Sequence, residues 1–127
     1  MLITFTGRKT GRRFSTPVRY LERDGRIWCF TSSSNKWWRN LRGGADVSLR
    51  IRGKELAFRA TAVVDQPAKI RTALREFLSH FPGDAPYYDV RLGPDREPVA
   101  ADLDRAAENT VMVEADPLPP ALVRHGA

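Results

Sequence analysis

The stretch Thr16-Pro17-Val18-Arg19-Tyr20-Leu21-Glu22-Arg23-Asp24-Gly25-Arg26-Ile27-Trp28-Cys29-Phe30-Thr31-Ser32 reads as two strands folded back on each other. β-Branched and aromatic residues recur in both arms, and Asp24-Gly25 supplies the pair that a two-residue type I′ hairpin turn demands. In the first arm, Thr16–Glu22, Val18 and Tyr20 share one face while Arg19 and Leu21 share the other. The return arm, Ile27–Ser32, places Ile27, Cys29 and Thr31 on one side and Trp28, Phe30 and Ser32 on the other. Apolar residues on both faces predict a strand with neighbours on each side.

The flanking segments repeat this antiparallel grammar. Leu2–Phe5 is β-prone and opens the chain, with no helix expected ahead of it. Asp46–Arg52 alternates, with Val47, Leu49 and Ile51 inward and Ser48, Arg50 and Arg52 outward. Gly53 turns the chain into Glu55–Val64, whose Leu56, Phe58, Ala60, Ala62 and Val64 share a face. A short helix is predicted over Lys36–Arg42, capped by Ser34 or Asn35 and closed at Gly43-Gly44. A longer one begins at Pro67 after Asp65 as cap, carries the stripe Ile70, Leu74, Phe77, Leu78, Phe81, and stops at Pro82-Gly83. Asp84–Val99 is expected to be loop, Asp102–Glu108 one or two helical turns, and Thr110–Glu114 a closing strand. The fold class is therefore mainly β: a six-stranded antiparallel barrel with a short helix after strand 3 and a longer one after strand 5. It forms a single domain over 1–116, with 117–127 as a tail.

At 127 residues and net charge +6, the chain carries its charge unevenly. Residues 1–59 hold 14 cations against 4 anions, and residues 60–127 hold 7 against 11. A basic half calls for an anionic partner. The densest part is Gly7-Arg8-Lys9-Thr10-Gly11-Arg12-Arg13. Two glycines four apart permit crowded backbone conformations, and the cations and hydroxyl between and after them suit phosphate or carboxylate oxygens. Taken alone, the same turn also reads as a solvated basic hairpin loop. Its spacing is not that of a Walker A loop, and no helical pattern follows.

A second constellation is Ser32-Ser33-Ser34-Asn35-Lys36-Trp37-Trp38-Arg39-Asn40-Leu41. A tryptophan pair beside hydroxyls and an amide supplies a flat wall for a ring system, or alternatively a core plug. Asn40 either touches a ligand or cross-links loop backbone. Tyr87 and Tyr88 either lid a pocket or fill a loop. Arg50, Arg52 and Arg59 read as a solvated ladder. Cys29 lies mid-strand among aromatics and belongs to the core, not to thiolate chemistry. His80 at a helix end and His125 in the tail make neither a metal site nor a catalytic pair. With no hydrolytic machinery, an anion cradle beside an aromatic wall suits a bound redox cofactor. No signal-peptide pattern or apolar run long enough to span a membrane is found, and the lone cysteine fits a reducing cytoplasm.

Thr6-Gly7-Arg8-Lys9-Thr10-Gly11, followed by Pro17, Asp24-Gly25, Trp37 and Asn40-Leu41, resembles the deazaflavin-dependent nitroreductase family. These are split β-barrel proteins related to FMN-binding barrels of the pyridoxamine-phosphate-oxidase type. The resemblance covers Leu2 to Val64, with a fainter echo at Phe81-Pro82 and Tyr87. It implies coenzyme F420, a deazaflavin with a phosphate and an oligoglutamate tail, with FMN as the alternative cofactor. By this resemblance Gly7, Arg8, Lys9, Thr10, Gly11 and Arg12 hold the phosphate. Pro17, Val18, Ser32, Ser33, Asn35, Lys36, Trp37 and Asn40 flank the deazaflavin, and Tyr87 or Tyr88 delivers a proton. The implied activity is hydride transfer from reduced F420 to a small acceptor: a quinone, nitroarene or activated alkene. Competing readings are an FMN oxidoreductase, a non-catalytic F420 carrier, or a nucleic-acid-binding module. Alternation of the aromatics toward a core counts against the last. The family resemblance also implies a homodimer.

Overall fold

A computed structural model describes residues 1–119 of the chain. Seven strands form one sheet: β1 Leu2–Thr6, β2 Arg13–Pro17, β3 Leu21–Arg23, β4 Arg26–Ser32, β5 Ala45–Ile51, β6 Lys54–Val63 and β7 Thr110–Pro117. Their order is β2-β1-β5-β6-β7-β4-β3, and every pairing is antiparallel. Both expected hairpin turns have the mirror-image geometry: Asp24 and Gly25 have φ 51° and 78°, and Arg52 and Gly53 have φ 51° and 80°. Positive φ at both central residues matches the right-handed twist of the strands they join.

The predicted arm Thr16–Glu22 is two strands, not one. β2 pairs with β1 at one edge of the sheet, and β3 pairs with β4 at the other. β2 stays with β1 as far as Val18, whose N–H donates to the Met1 carbonyl at 2.9 Å. Val18, Arg19 and Tyr20 then carry the chain from one edge to the other. A flat sheet of seven strands would separate its edges by about 29 Å, whereas four peptide steps reach at most about 14 Å. The sheet must therefore curl. It has seven strands where a six-stranded split barrel was expected: no ladder joins β2 to β3, and the chain itself spans the split.

Curling gives the sheet an inner and an outer face. The inner core holds Ile3, Phe5, Ile27, Cys29, Val47, Leu49, Phe58 and Val113, plugged by Trp38 and Leu41. Trp38 and Leu41 come from a 3₁₀ turn, Trp37–Leu41, which replaces the predicted short α-helix. Lys36 occupies its N-cap position, so neither Ser34 nor Asn35 caps it, and Gly43 and Gly44 leave it with φ 73° and 91°. On the outer face lie α1 (Pro67–His80) and α2 (Ala100–Glu108). Leu74, Phe77, Leu78 and Leu103 pack there against Phe30, Val63 and Met112. Pro67 opens α1 as expected, but Gln66 holds the cap position and Asp65 sits at φ 57°.

Three further expectations change. Leu56 is exposed, because β7 begins to pair with β6 only at Phe58 and leaves the hairpin tip uncovered. Residues Pro82–Tyr88, expected in part as loop, form a 3₁₀ segment that ends at Asp89 with φ 58°. β7 extends to Pro117, and the rest of the expected tail, with His125, lies mostly outside the described residues. The loop after the 3₁₀ segment is pinned by Asp102, which is buried. Its Oδ2 accepts from the Arg91 backbone N–H at 3.0 Å and from Arg91 Nε at 2.8 Å, and its Oδ1 accepts from Arg105 Nη2 at 3.2 Å.

Those Arg91 hydrogen bonds hold the Asp102 carboxyl well below the usual carboxylate range. Its stabilising contribution is then complete above the unfolded value of about 4 and is lost as pH falls through the lower native value. Asp102→Asn should lower the thermal midpoint at pH 7, and the gap to the parent protein should narrow steadily below about pH 4. A pH series of thermal melts followed by circular dichroism measures both effects.

Candidate functional site

The basic turn Gly7–Arg12 joins β1 to β2 and is closed by its own backbone. Gly7 N–H donates to the Arg12 carbonyl at 2.6 Å, and Gly11 N–H donates to the Gly7 carbonyl at 2.9 Å. Gly11 takes φ 72°, a conformation that L side chains rarely adopt. Gly7 is required for a different reason: a Cβ there would lie 2.7 Å from Cε2 of Phe14. The backbone N–H groups of Lys9 and Thr10 find no acceptor among the described residues. They remain available for an anion.

Asn40 couples this turn to the Trp37–Leu41 turn. Its Oδ1 accepts from the Arg8 N–H at 2.9 Å, and its Nδ2 donates to the Trp37 carbonyl at 2.9 Å. Of its two possible roles, the backbone cross-link is therefore the one formed here. It brings Lys36 and Arg39 to the basic turn, because a 3₁₀ geometry of three residues per turn places positions three apart on one side. The result is a cavity of about 560 Å³ whose lining includes Arg8, Lys9, Thr10, Lys36, Trp37 and Arg39. Four of those side chains are cations, no anion lines the cavity, and none of the four forms an ion pair among the described residues. By contrast, Arg19, Arg23, Arg26, Arg59, Arg71, Arg75, Arg91 and Arg105 are all ion-paired.

A second cavity of about 490 Å³ continues from the first across Thr16 and Trp37, which line both. Pro17, Val18 and Arg19 form one wall, Thr31, Asn35 and Trp37 another, and Asp84, Tyr87 and Tyr88 close it. Thr31, buried on β4, accepts from Asn35 Nδ2 at 2.8 Å and from Trp37 Nε1 at 3.2 Å, and so fixes the indole plane. Phe5 packs against the same indole at 5.8 Å between centroids. Tyr88 is half-buried with its ring edge-on to Phe77, and Tyr87 stands exposed beside it. Burial first, and the Asp84 carboxylate second, push the Tyr88 phenol well above its ordinary value. It therefore keeps its proton and remains a hydrogen-bond donor.

The groove gathers Gly7, Arg8, Lys9, Thr10, Lys36, Trp37 and Asn40 at one end and Pro17, Val18, Asn35, Tyr87 and Tyr88 at the other. Gly11 and Arg12 line neither cavity: Gly11 shapes the turn, and Arg12 lies over the Phe14 ring at 5.8 Å. Ser32 and Ser33 also fall outside both. Ser32 Oγ is engaged with Ser34 Oγ at 2.8 Å, and Ser33 is held by Asn109 and by the Trp38 indole. Residues the sequence reading missed are Thr16, Thr31, Arg39, Arg19 and Asp84. The three-residue spacing of Arg39 from Lys36 was a legible signal, but the pairing of Arg19 with Asp84, 65 positions away, was not. Cys29 is core, and burial pushes its thiol up to about 12. Among the described residues there is no cluster of metal-ligating side chains, and no helix is long and apolar enough to cross a membrane.

The Asn40 cross-link gives a direct check. Asn40→Leu removes both hydrogen bonds and should cost about 1–3 kcal/mol, read by denaturant unfolding. The tryptophan emission, to which Trp37 and Trp38 of this turn both contribute, should shift to the red as the turn loosens.

A family model described as F420H(2)-dependent quinone reductase matches residues 1–100, and the chain belongs to that family. No curated protein matches the chain. Among solved structures, it is similar to the flavocytochrome Anf3 from Azotobacter vinelandii, with 18% identity and a TM-score of 0.55 over 98% of this chain and 67% of that one. At that identity the likeness concerns the fold alone.

Proposed function

We propose that this member of the F420H(2)-dependent quinone reductase family uses the groove to hold reduced F420 beside a quinone. Nitroarenes and activated alkenes are further acceptors with the same electron demand. The family's coenzyme is F420, and membership makes the chain an F420-dependent oxidoreductase acting on a small-molecule acceptor. The observation that carries the site assignment is the groove's two-part character. Four unpaired cations and two free N–H groups lie at one end, and an aromatic, hydroxyl-lined cavity lies at the other.

The residues present fit the coenzyme. Arg8, Lys9, Lys36 and the N–H groups of Lys9 and Thr10 suit a phosphate, and Arg39 extends the positive field toward tail carboxylates. Trp37 offers a fixed flat wall, with Pro17 and Val18 across from it. When bound, F420 supplies a hydride donor of low potential. A quinone that accepts the hydride gains two electrons and one hydrogen, leaving negative charge on oxygen. One proton then completes the hydroquinone. Tyr88, kept protonated by its surroundings, donates a hydrogen bond to that oxygen, and Tyr87 at the mouth passes the proton from water. The single buried cysteine suits a reducing compartment, and we place the reaction in the cytoplasm.

Titration of tryptophan fluorescence with F420, and separately with FMN, tests the reading. F420 should quench saturably, and Arg8→Ala/Lys9→Ala should weaken it about 100-fold, as two charge-assisted contacts are lost. Quenching by FMN that equals that by F420, or none by F420, overturns the assignment.

A further inference from the structure

Among the described residues, the acceptor half of the groove is lined by only two charged side chains, Arg19 and Asp84. They are paired: Arg19 Nε donates to Asp84 Oδ2 at 2.8 Å. Arg19 is held from three directions. Its backbone lies in the short bridge between β2 and β3, its guanidinium sits 4.9 Å from the centroid of the Phe81 ring, and its Nε is spent on Asp84. Asp84 in turn belongs to the 3₁₀ segment that presents Tyr87 and Tyr88. The pair therefore stands where an acceptor must enter, between the sheet's split and the tyrosine wall.

The groove thus changes electrostatic character at Trp37 and Thr16, from four unopposed cations to a neutral pair. With an anionic coenzyme seated in the cradle, those four charges are consumed. An acceptor bearing a sulfonate or carboxylate would then enter a partly desolvated cavity that offers no unspent cation, and would meet the Asp84 carboxylate besides. An unpaired charge in such a place costs far more than a neutral polar group. A neutral carbonyl, by contrast, can accept from the Nη groups of Arg19, which have no hydrogen-bond partner among the described residues.

We propose that the Arg19–Asp84 pair is a specificity determinant that admits uncharged electron acceptors and rejects anionic ones. This rests on the reading of the groove as a joint coenzyme and acceptor site. Arg19 supplies hydrogen-bond donors without net charge, because Asp84 cancels it. Asp84→Asn leaves the shape and removes the cancelling charge, which converts the cavity to one that attracts anions. Arg19→Gln does the reverse and leaves Asp84 unopposed.

The test compares a neutral naphthoquinone with its sulfonated derivative, both as oxidants of reduced F420 and as quenchers of tryptophan fluorescence with oxidised F420 bound. The parent protein should favour the neutral compound by about tenfold or more in kcat/KM, the scale of one uncompensated charge near a protein surface. Asp84→Asn should move that ratio about tenfold toward the sulfonate, mainly through KM, with a matching change in the quenching affinity. Arg19→Gln should move it the other way, so the idea stays testable if one variant fails to fold. Equal use of both quinones by the parent, or a ratio unmoved by either variant, overturns the charge filter while leaving the reductase reading intact. Failure of both quinones to oxidise reduced F420 overturns the two together.

Discussion

Val18-Arg19-Tyr20 sets a length that the rest of the sheet must satisfy. Because these three residues connect opposite edges, the seven strands have to roll until those edges stand within the reach of a short extended segment. Rolling creates the inner face, and the inner face explains why β4 must be apolar on both sides. Ile27 and Cys29 fill the enclosed core, while Phe30 meets Phe77 of α1 outside at 5.0 Å between centroids. The same bridge lines the groove with Val18 and Arg19. The closure of the roll and one wall of the groove are thus made by one piece of chain. An insertion there would loosen the roll and reshape the cavity at once.

The second organising contact is Asn40. A single side-chain amide ties the Arg8 N–H to the Trp37 carbonyl, joining segments 32 residues apart. Without such a tie, Lys36 and Arg39 would have no reason to face the Gly7–Arg12 turn, and like charges would push the two segments apart. The repulsion of four unpaired cations is a cost carried by the folded chain. The cross-link and the packing of Phe5, Phe14 and Trp37 beneath the turn offset it.

Much of this was legible in local sequence, and the reasons for the exceptions are physical. Asp24-Gly25 and Gly53 announce their hairpins because mirror-image turns demand φ above zero. The stripe Ile70, Leu74, Phe77, Leu78 announces α1, because all four must face one sheet. The basic turn was visible as charge density between glycines. What failed depended on distant partners. Thr16–Glu22 alternates smoothly enough to be one strand, and only its opposite neighbours, β1 and β4, divide it at Pro17. Leu56 obeys the inward pattern of β6 but lies beyond the end of β7. Ser32 and Ser33 look like ligand hydroxyls, yet the fold leaves both outside the two cavities of the groove. The charge balance of the second cavity was beyond local reading, since it needs Arg19 and Asp84 to meet across the split.

Cys29 carries a practical consequence. It is the sole cysteine of the chain, and its thiol is buried against the inner core with deprotonation pushed far above neutrality. Alkylating reagents and peroxides act on the thiolate, which this site neither exposes nor populates. The native protein is therefore a silent background for thiol-directed labelling. Cysteines placed on two exposed positions, such as Arg13 and Glu22, would be the only ones to take up a dye or spin label, which makes distance measurements across the rolled sheet feasible without first engineering a cysteine away.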